Sequence, residues 1–305
     1  MNQFVLSLLI LILPLRLAGQ LFTLSDQYLN NTLAINPAFA GCNDALSMSF
    51  LYRNQSAGFE DAPKNSTLSL HAPLNKNRIG LGLMVSDGSY GINNETVIAG
   101  SYAYRMEMNS GLLALGLGFG ATVTNVAWNE LKATDPDDIL LTNTPVTAVL
   151  PDVSIGMYYY TKKLFFGFSL PMLLSHEFDH NTATYSISND FSEYNYFLEG
   201  GYYAVLTSGM TLLPSFLFSY DPGNKPVLNI NAQLILQDRF RIGAGYRTGD
   251  ILIGMVQFNF NRQLMAAYSY DFNIGTIGKY DNGANEIVLN YTFSYSRKVR
   301  GPRQF

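Results

Sequence analysis

From about Ala45 onward, apolar side chains recur at every second position in segments of roughly ten residues, the period of a strand with one apolar face. Ile287, Leu289, Tyr291, Phe293 and Tyr295 alternate with Val288, Asn290, Thr292 and Ser294. Leu228, Ile230, Ala232, Leu234 and Leu236 alternate with Asn229, Asn231 and Gln233, and Leu115, Leu117, Phe119 and Ala121 stand opposite Gly116, Gly118 and Gly120. The pattern predicts about 14 strands, near 45–54, 64–73, 78–86, 96–107, 111–124, 152–160, 164–170, 194–206, 210–220, 226–237, 239–248, 251–260, 263–272 and 285–296. A soluble sandwich alternates as well, so the connections decide. Short turns at 75–77, 108–110, 161–163, 207–209, 237–238 and 261–262 take turns with longer connections at 55–63, 87–95, 125–151, 171–193, 221–225 and 273–284. Only 249–250 departs from that rule. Short turns on one side, long loops on the other and an even strand count describe an all-β chain folded as a transmembrane antiparallel β-barrel. Closure is required because an open sheet edge in hydrocarbon leaves backbone groups unpaired.

Composition agrees and removes other classes. Only 14% of the 305 residues are charged while 48% are hydrophobic, which disfavours disorder. After residue 20 no stretch approaches the roughly 20 apolar residues of a spanning helix. Tyr158, Tyr159 and Tyr160, Tyr202 and Tyr203, and Tyr291 to Tyr295 cluster toward segment ends, as interfacial girdles do. The net charge of −4 gives no basic face for nucleic acid, so none is expected as a partner. A single cysteine, Cys42, excludes an intrachain disulfide framework and a thiolate zinc cluster.

The ends divide the chain. The apolar run 4–13, followed by Pro14, Arg16 and the small pair Ala18 and Gly19, reads as a signal peptide over 1–19 and an outer-membrane destination. Residues 20–44 are an N-terminal periplasmic or lumenal segment. Asn36-Pro37 favours a turn and Phe39 needs cover, so a segment folded against or into the lumen is expected. The barrel occupies 45–296, and 297–305 form a basic periplasmic tail in which Arg297, Lys298, Arg300 and Arg303 are either a solvated end lying near lipid headgroups or an electrostatic handle for an acidic partner.

Chemistry-bearing motifs are sparse. His176-Glu177-Phe178-Asp179-His180 spells the zinc-protease run, whose histidines must lie one helical turn apart. Here it follows Pro171 in a loop with no apolar helix around it, so no catalytic or metal role is assigned. Asp135, Asp137 and Asp138, and separately Asp87, Asn93, Asn94 and Glu95, lack the spacing of a calcium loop. His71 faces the polar side of its strand. No cofactor and no enzymatic activity are expected.

Specific words in the first third carry a resemblance. Leu33-Ala34-Ile35-Asn36-Pro37-Ala38-Phe39-Ala40-Gly41, Tyr52-Arg53-Asn54-Gln55, Gly58-Phe59-Glu60, Ala62-Pro63, His71-Ala72-Pro73-Leu74 and Ile79-Gly80-Leu81-Gly82 together resemble the PorP/SprF family of type IX secretion system membrane proteins. Ser56 stands where that family typically shows Trp. The resemblance implies an outer-membrane barrel, in contact with outer-membrane lipid, that works with the secretion and gliding machinery. It implies periplasmic secretion or motility proteins and a large secreted cell-surface protein as partners. On that basis Asn36, Pro37, Phe39, Arg53, Asn54, Gln55, Gly58, Phe59 and Pro63, with the four tail cations, are the candidate partner-binding residues. An outer-membrane channel for small molecules is the alternative, with Arg53, Arg105, Glu107, Glu199, Arg241, Arg247 and Asp271 either lining a pore or pairing across it.

Overall fold

A computed structural model describes residues 25–56, 62–74, 78–127, 146–179, 184–222, 224–279 and 282–293. The strands are β1 Ser47–Asn54, β2 Lys64–Leu74, β3 Ile79–Tyr90, β4 Asn93–Met108, β5 Gly111–Val126, β6 Val146–Tyr160, β7 Leu164–Leu170, β8 Ser175–Asp179 and β9 Thr184–Ser188. They continue as β10 Tyr196–Tyr202, β11 Ala204–Thr207, β12 Met210–Tyr220, β13 Val227–Leu236, β14 Phe240–Arg247, β15 Ile251–Asn259, β16 Leu264–Asn273 and β17 Ala284–Thr292. β10 and β11 are one strand interrupted at Tyr203, and β8–β9 is a separate hairpin. The remainder is a closed 14-strand antiparallel barrel. β1 closes it by pairing with β17 from Ser47↔Thr292 to Asn54↔Asn285, and β10 joins β7 to β12. Helix among the described residues is confined to short 3-10 turns.

The alternation sorts the faces as expected. Ile230, Ile242, Val256, Ile287 and Leu289 are exposed on the outer face, whereas Asn229, Asn231, Gln233 and Ser269 are buried inside. The hydrophobic effect therefore acts outward, toward lipid, along the whole wall. Inside is a second apolar cluster that no empty pore has: Tyr158, Tyr160, Phe165, Phe197, Leu213 and Leu217 pack against residues of the N-terminal segment.

Several boundaries differ from the sequence expectation. The connection expected at 87–95 is a two-residue turn at Gly91 and Ile92, so 249–250 is not the sole short turn on that side. Asp87, Gly88, Ser89, Asn93 and Asn94 read as loop residues by propensity. They are nevertheless held in register, Gly88↔Glu95 and Ser89↔Asn94, because the neighbouring strands extend far enough to pair with them. The same extension starts β6 at Val146 instead of 152. The span 171–193 contains β8, β9 and a 3-10 turn, Phe191–Glu193. His176 and Glu177 thus lie in a strand, where successive side chains alternate and the one-turn spacing of a zinc-protease helix does not form. His180 and Asp135, Asp137 and Asp138 lie outside the described residues.

Ile230 is 52% exposed and faces lipid. Ile230→Arg is expected to destabilise the barrel by about 2–4 kcal/mol if it lies near the bilayer midplane, while Ile230→Leu leaves it unchanged. Heat-modifiable gel mobility against urea reads the difference, and equal stability of the two variants would mean the outer face is misassigned.

Candidate functional site, a segment folded into the lumen

Residues 25–44 run through the inside of the barrel. Three single-turn 3-10 helices, Tyr28–Asn30, Thr32–Ala34 and Pro37–Phe39, shape them. The last is set by Asn36-Pro37. The Asn36 side chain accepts the Ala38 N–H at 3.1 Å, and Pro37 occupies the first turn, where its missing N–H costs nothing. The Asn36 amide also donates to the Met157 carbonyl at 3.1 Å, so the same side chain that caps the turn ties it to β6. Phe39 lies edge-on to Tyr158 and His71, with centroids 5.3 and 5.4 Å apart. Serines of the wall supply further contacts: Ser169 donates to the Ile35 carbonyl at 2.6 Å and Ser69 to Asn31 at 2.6 Å, and the Tyr28 hydroxyl donates to Ser215 at 3.0 Å.

The wall is hollowed to receive this segment. A Cβ on Gly80 would stand 1.9 Å from the Ala40 carbonyl oxygen, and one on Gly116 would stand 2.1 Å from the Ala38 nitrogen. Both glycines occupy inward positions of strands whose neighbours, Leu81 and Leu115, are exposed outward. The plug backbone lies where any side chain would be, so these positions require glycine on steric grounds.

Each end of the segment is clamped by charge. Toward the long connections, Arg53 reaches Asp26 at 2.5 Å, Asp271 at 2.6 Å and Glu286 at 2.8 Å. Arg247 pairs with Asp26 at 2.8 Å and also with Asp271. Glu286 further accepts the Ser25 hydroxyl at 2.5 Å and the backbone N–H groups of Asp26 and Gln27 at 3.2 and 2.9 Å. Three carboxylates face two guanidiniums, all nearly inaccessible to water. Each oxygen of Asp26 faces a guanidinium, Oδ2 that of Arg53 and Oδ1 that of Arg247, so the plug carboxylate is charge-paired on both sides. Toward the short turns, Arg105 donates to the Gly41 carbonyl at 2.5 Å and to Asp44 at 3.1 Å, and the Gly41 N–H donates to His71 Nδ1 at 3.0 Å. The segment thus rises from the short-turn end, near Asp44, to the long-loop half, near Asp26.

Asn36, Pro37, Phe39 and Arg53 are therefore brought together as plug and socket. Asn54 ends β1 opposite Lys64 and Asn285, and the Gln55 N–H donates to the Pro63 carbonyl at 2.8 Å, closing the base of the 55–63 connection. Gly58, Phe59, Arg297, Lys298, Arg300 and Arg303 lie outside the described residues. Sequence reasoning placed Arg105, Arg247 and Asp271 inward but did not pair them, and it missed Asp26, Asp44 and Glu286. Glu286 is an inward charge near the start of β17, while Asp26 and Asp44 lie in the segment before β1, and in neither case does the sequence name the partner.

The model of the family "Type IX secretion system membrane protein PorP/SprF" matches residues 19–291. The chain belongs to that family. This PorP/SprF-family protein is accordingly an outer-membrane barrel of the type IX secretion system. Among curated proteins none matches it. Solved structures similar to it include the CymD monoaromatic hydrocarbon channel, at 13% identity and a TM-score of 0.51 over 92% of this chain and 96% of that one. The outer membrane protein Omp33 of Acinetobacter baumannii is 5% identical, with a TM-score of 0.48 over 82% and 100% of the two chains. A Pseudomonas aeruginosa FadL homologue is 11% identical, with a TM-score of 0.45 over 86% and 94%. At these identities the likeness to CymD speaks for the barrel fold alone.

Cys42 is 1% exposed and is the chain's single thiol, so it reports on the plug. It is expected to resist maleimide in the folded barrel. Gly116→Val, which puts a side chain where Ala38 lies, and Asp26→Asn, which breaks the upper clamp at a cost of about 3–5 kcal/mol, should each raise labelling severalfold. Heat-modifiable mobility checks that the wall survives. Unchanged labelling in both variants would show that the plug does not depend on these contacts.

Proposed function

We propose that this protein is a non-enzymatic, closed-lumen component of the type IX machinery that supports secretion or surface attachment of a large secreted protein. It links to periplasmic secretion or motility proteins through its short turns and basic tail. The observation behind this reading is the plug. Residues 25–44 fill much of the lumen and are bonded to wall strands on several sides, which suits a rigid platform better than a conduit. The loops then serve the cell-surface side and the tail the periplasmic side. The family's place in secretion supports the same reading.

The alternative is a small-molecule channel, the role of the CymD monoaromatic hydrocarbon channel, which shares the barrel fold. Planar-bilayer recording separates the two. The purified protein is expected to show no steady conductance, and a stable open level in the unaltered chain would favour the channel.

The tail gives a second test. Four cations within 297–305 attract anions only within about one Debye length, roughly 8 Å at physiological salt. Deleting these residues should leave the barrel folded but reduce recovery of periplasmic partners in co-purification from solubilised membranes. The deficit should be largest at low salt and shrink as salt screens the intact tail. Equal recovery at every salt concentration would assign the contact to the turns.

A further inference from the structure

The plug does not fill the lumen to its outer end. Between plug residues 33–37 and the outer halves of β3 to β6 lies a cavity of about 150 Å³. Leu33, Ile35, Met84, Val97, Leu150 and Met172 give it a mostly apolar lining, interspersed with the hydroxyls of Ser101, Thr122, Thr124 and Ser154. Glu95 and Asp152 also line it, together with His176 and Tyr185 of the β8–β9 hairpin. These four side chains are only partly buried.

The way this corner is built explains why the hairpin is there. β7 ends at Leu170 and pairs with β6 only over Ile155 to Tyr160, so the outer half of β6 has no barrel strand on that side. The chain after β7 takes the place of one. The Leu173 N–H donates to the Val153 carbonyl at 2.9 Å, and His176 Nε2 donates to the Pro151 carbonyl at 3.0 Å. Asp152 Oδ1 accepts the N–H groups of Leu173 and Leu174 at 3.2 and 3.4 Å. Glu95 accepts the Tyr90 hydroxyl. Neither carboxylate belongs to an ion pair among the described residues, and no Lys or Arg is among those lining this cavity. In the plug clamp every carboxylate pairs with a guanidinium, whereas neither Glu95 nor Asp152 does among the described residues, although Glu95 also borders a neighbouring cavity lined by Lys64 and Arg53.

We propose that this cavity binds an alkyl chain that ends in a positive charge: a lysine or arginine side chain of a peptide, or a free primary amine of similar length. The apolar walls match methylene groups, and the carboxylates match the charged end. The volume accommodates one long side chain with its neighbours' flanks, and does not suit a bulky ligand. A neutral hydrocarbon would leave both carboxylates without a charged partner, and an anion would be repelled. The site stands apart from the question of secretion against attachment, since it follows from the cavity's lining alone.

The full-length barrel in lipid nanodiscs would be titrated calorimetrically with hexylammonium, hexanol, hexanoate and an end-blocked Leu-Lys-Leu peptide. Hexylammonium is expected to bind saturably and the alcohol and carboxylate are not. Glu95→Gln and Asp152→Asn should each weaken it roughly tenfold. Ala99→Phe, which fills the cavity, should abolish binding while heat-modifiable mobility and Cys42 protection are kept. Tighter binding of the blocked peptide than of the amine identifies a polypeptide source, and binding of the amine alone identifies a small molecule. Absence of hexylammonium binding, equal binding of hexanol, or affinity unaltered in all three variants would overturn the proposal.

Discussion

Arg53 is the group on which the interior depends. Its guanidinium, carried on β1, joins the plug, through Asp26, to the adjacent strands β16 and β17, through Asp271 and Glu286, and Arg247 on β14 joins Asp26 and Asp271. Removing several charges from water is costly, and their attraction in a low-dielectric interior offsets that cost only when nearly every donor and acceptor is used. The arrangement meets this at most of its atoms, leaving Arg53 Nε and Asp271 Oδ1 buried without a partner among the described residues. Glu286 alone accepts from a hydroxyl, two backbone N–H groups and Arg53. Such a cluster has few alternative geometries, so it fixes where Asp26 sits in the lumen as well as holding it there.

The wall is adapted to opposite demands on its two faces. Outside, large apolar side chains meet lipid; inside, glycine, serine and asparagine leave room and hydrogen-bonding capacity for a backbone. The plug brings its own short apolar run, Leu33, Ile35 and Phe39, which finds cover from Tyr158, Phe165 and their neighbours. The barrel therefore has an internal core of the kind a soluble protein has, in addition to its lipid-facing surface. Its contents are asymmetric. The plug packs toward β3 to β6, against glycine, while the inner face of β13 is lined by asparagine and glutamine.

That asymmetry bears on function. With both ends of residues 25–44 clamped, the lumen has a filled inner part and a recess on the outer side. The recess lies beside β6, where the regular wall gives way to the β8–β9 hairpin.

Much of the fold was legible in the sequence because its physics is local. A period of two in hydrophobicity reports a strand with one greasy face wherever it occurs, and connection length reports the end of the barrel for all connections but those at 91–92 and 248–250. Those two signals were enough for about 14 strands, the closed sheet and the sorting of Ile230 from Asn231. Asn36-Pro37 and Phe39 likewise declared a turn in need of cover. What the sequence could not determine was partnership. Arg53 and Glu286 are 233 residues apart, and an inward charge carries no label for its mate. The glycines at 80 and 116 look like weak strand residues until the plug backbone is seen against them. The residues around Gly91 have loop propensities, and only the length of the neighbouring strands holds them in the sheet. Periodicity determined the wall; closure of the barrel, which brings distant inward positions within hydrogen-bonding reach, decided what fills it.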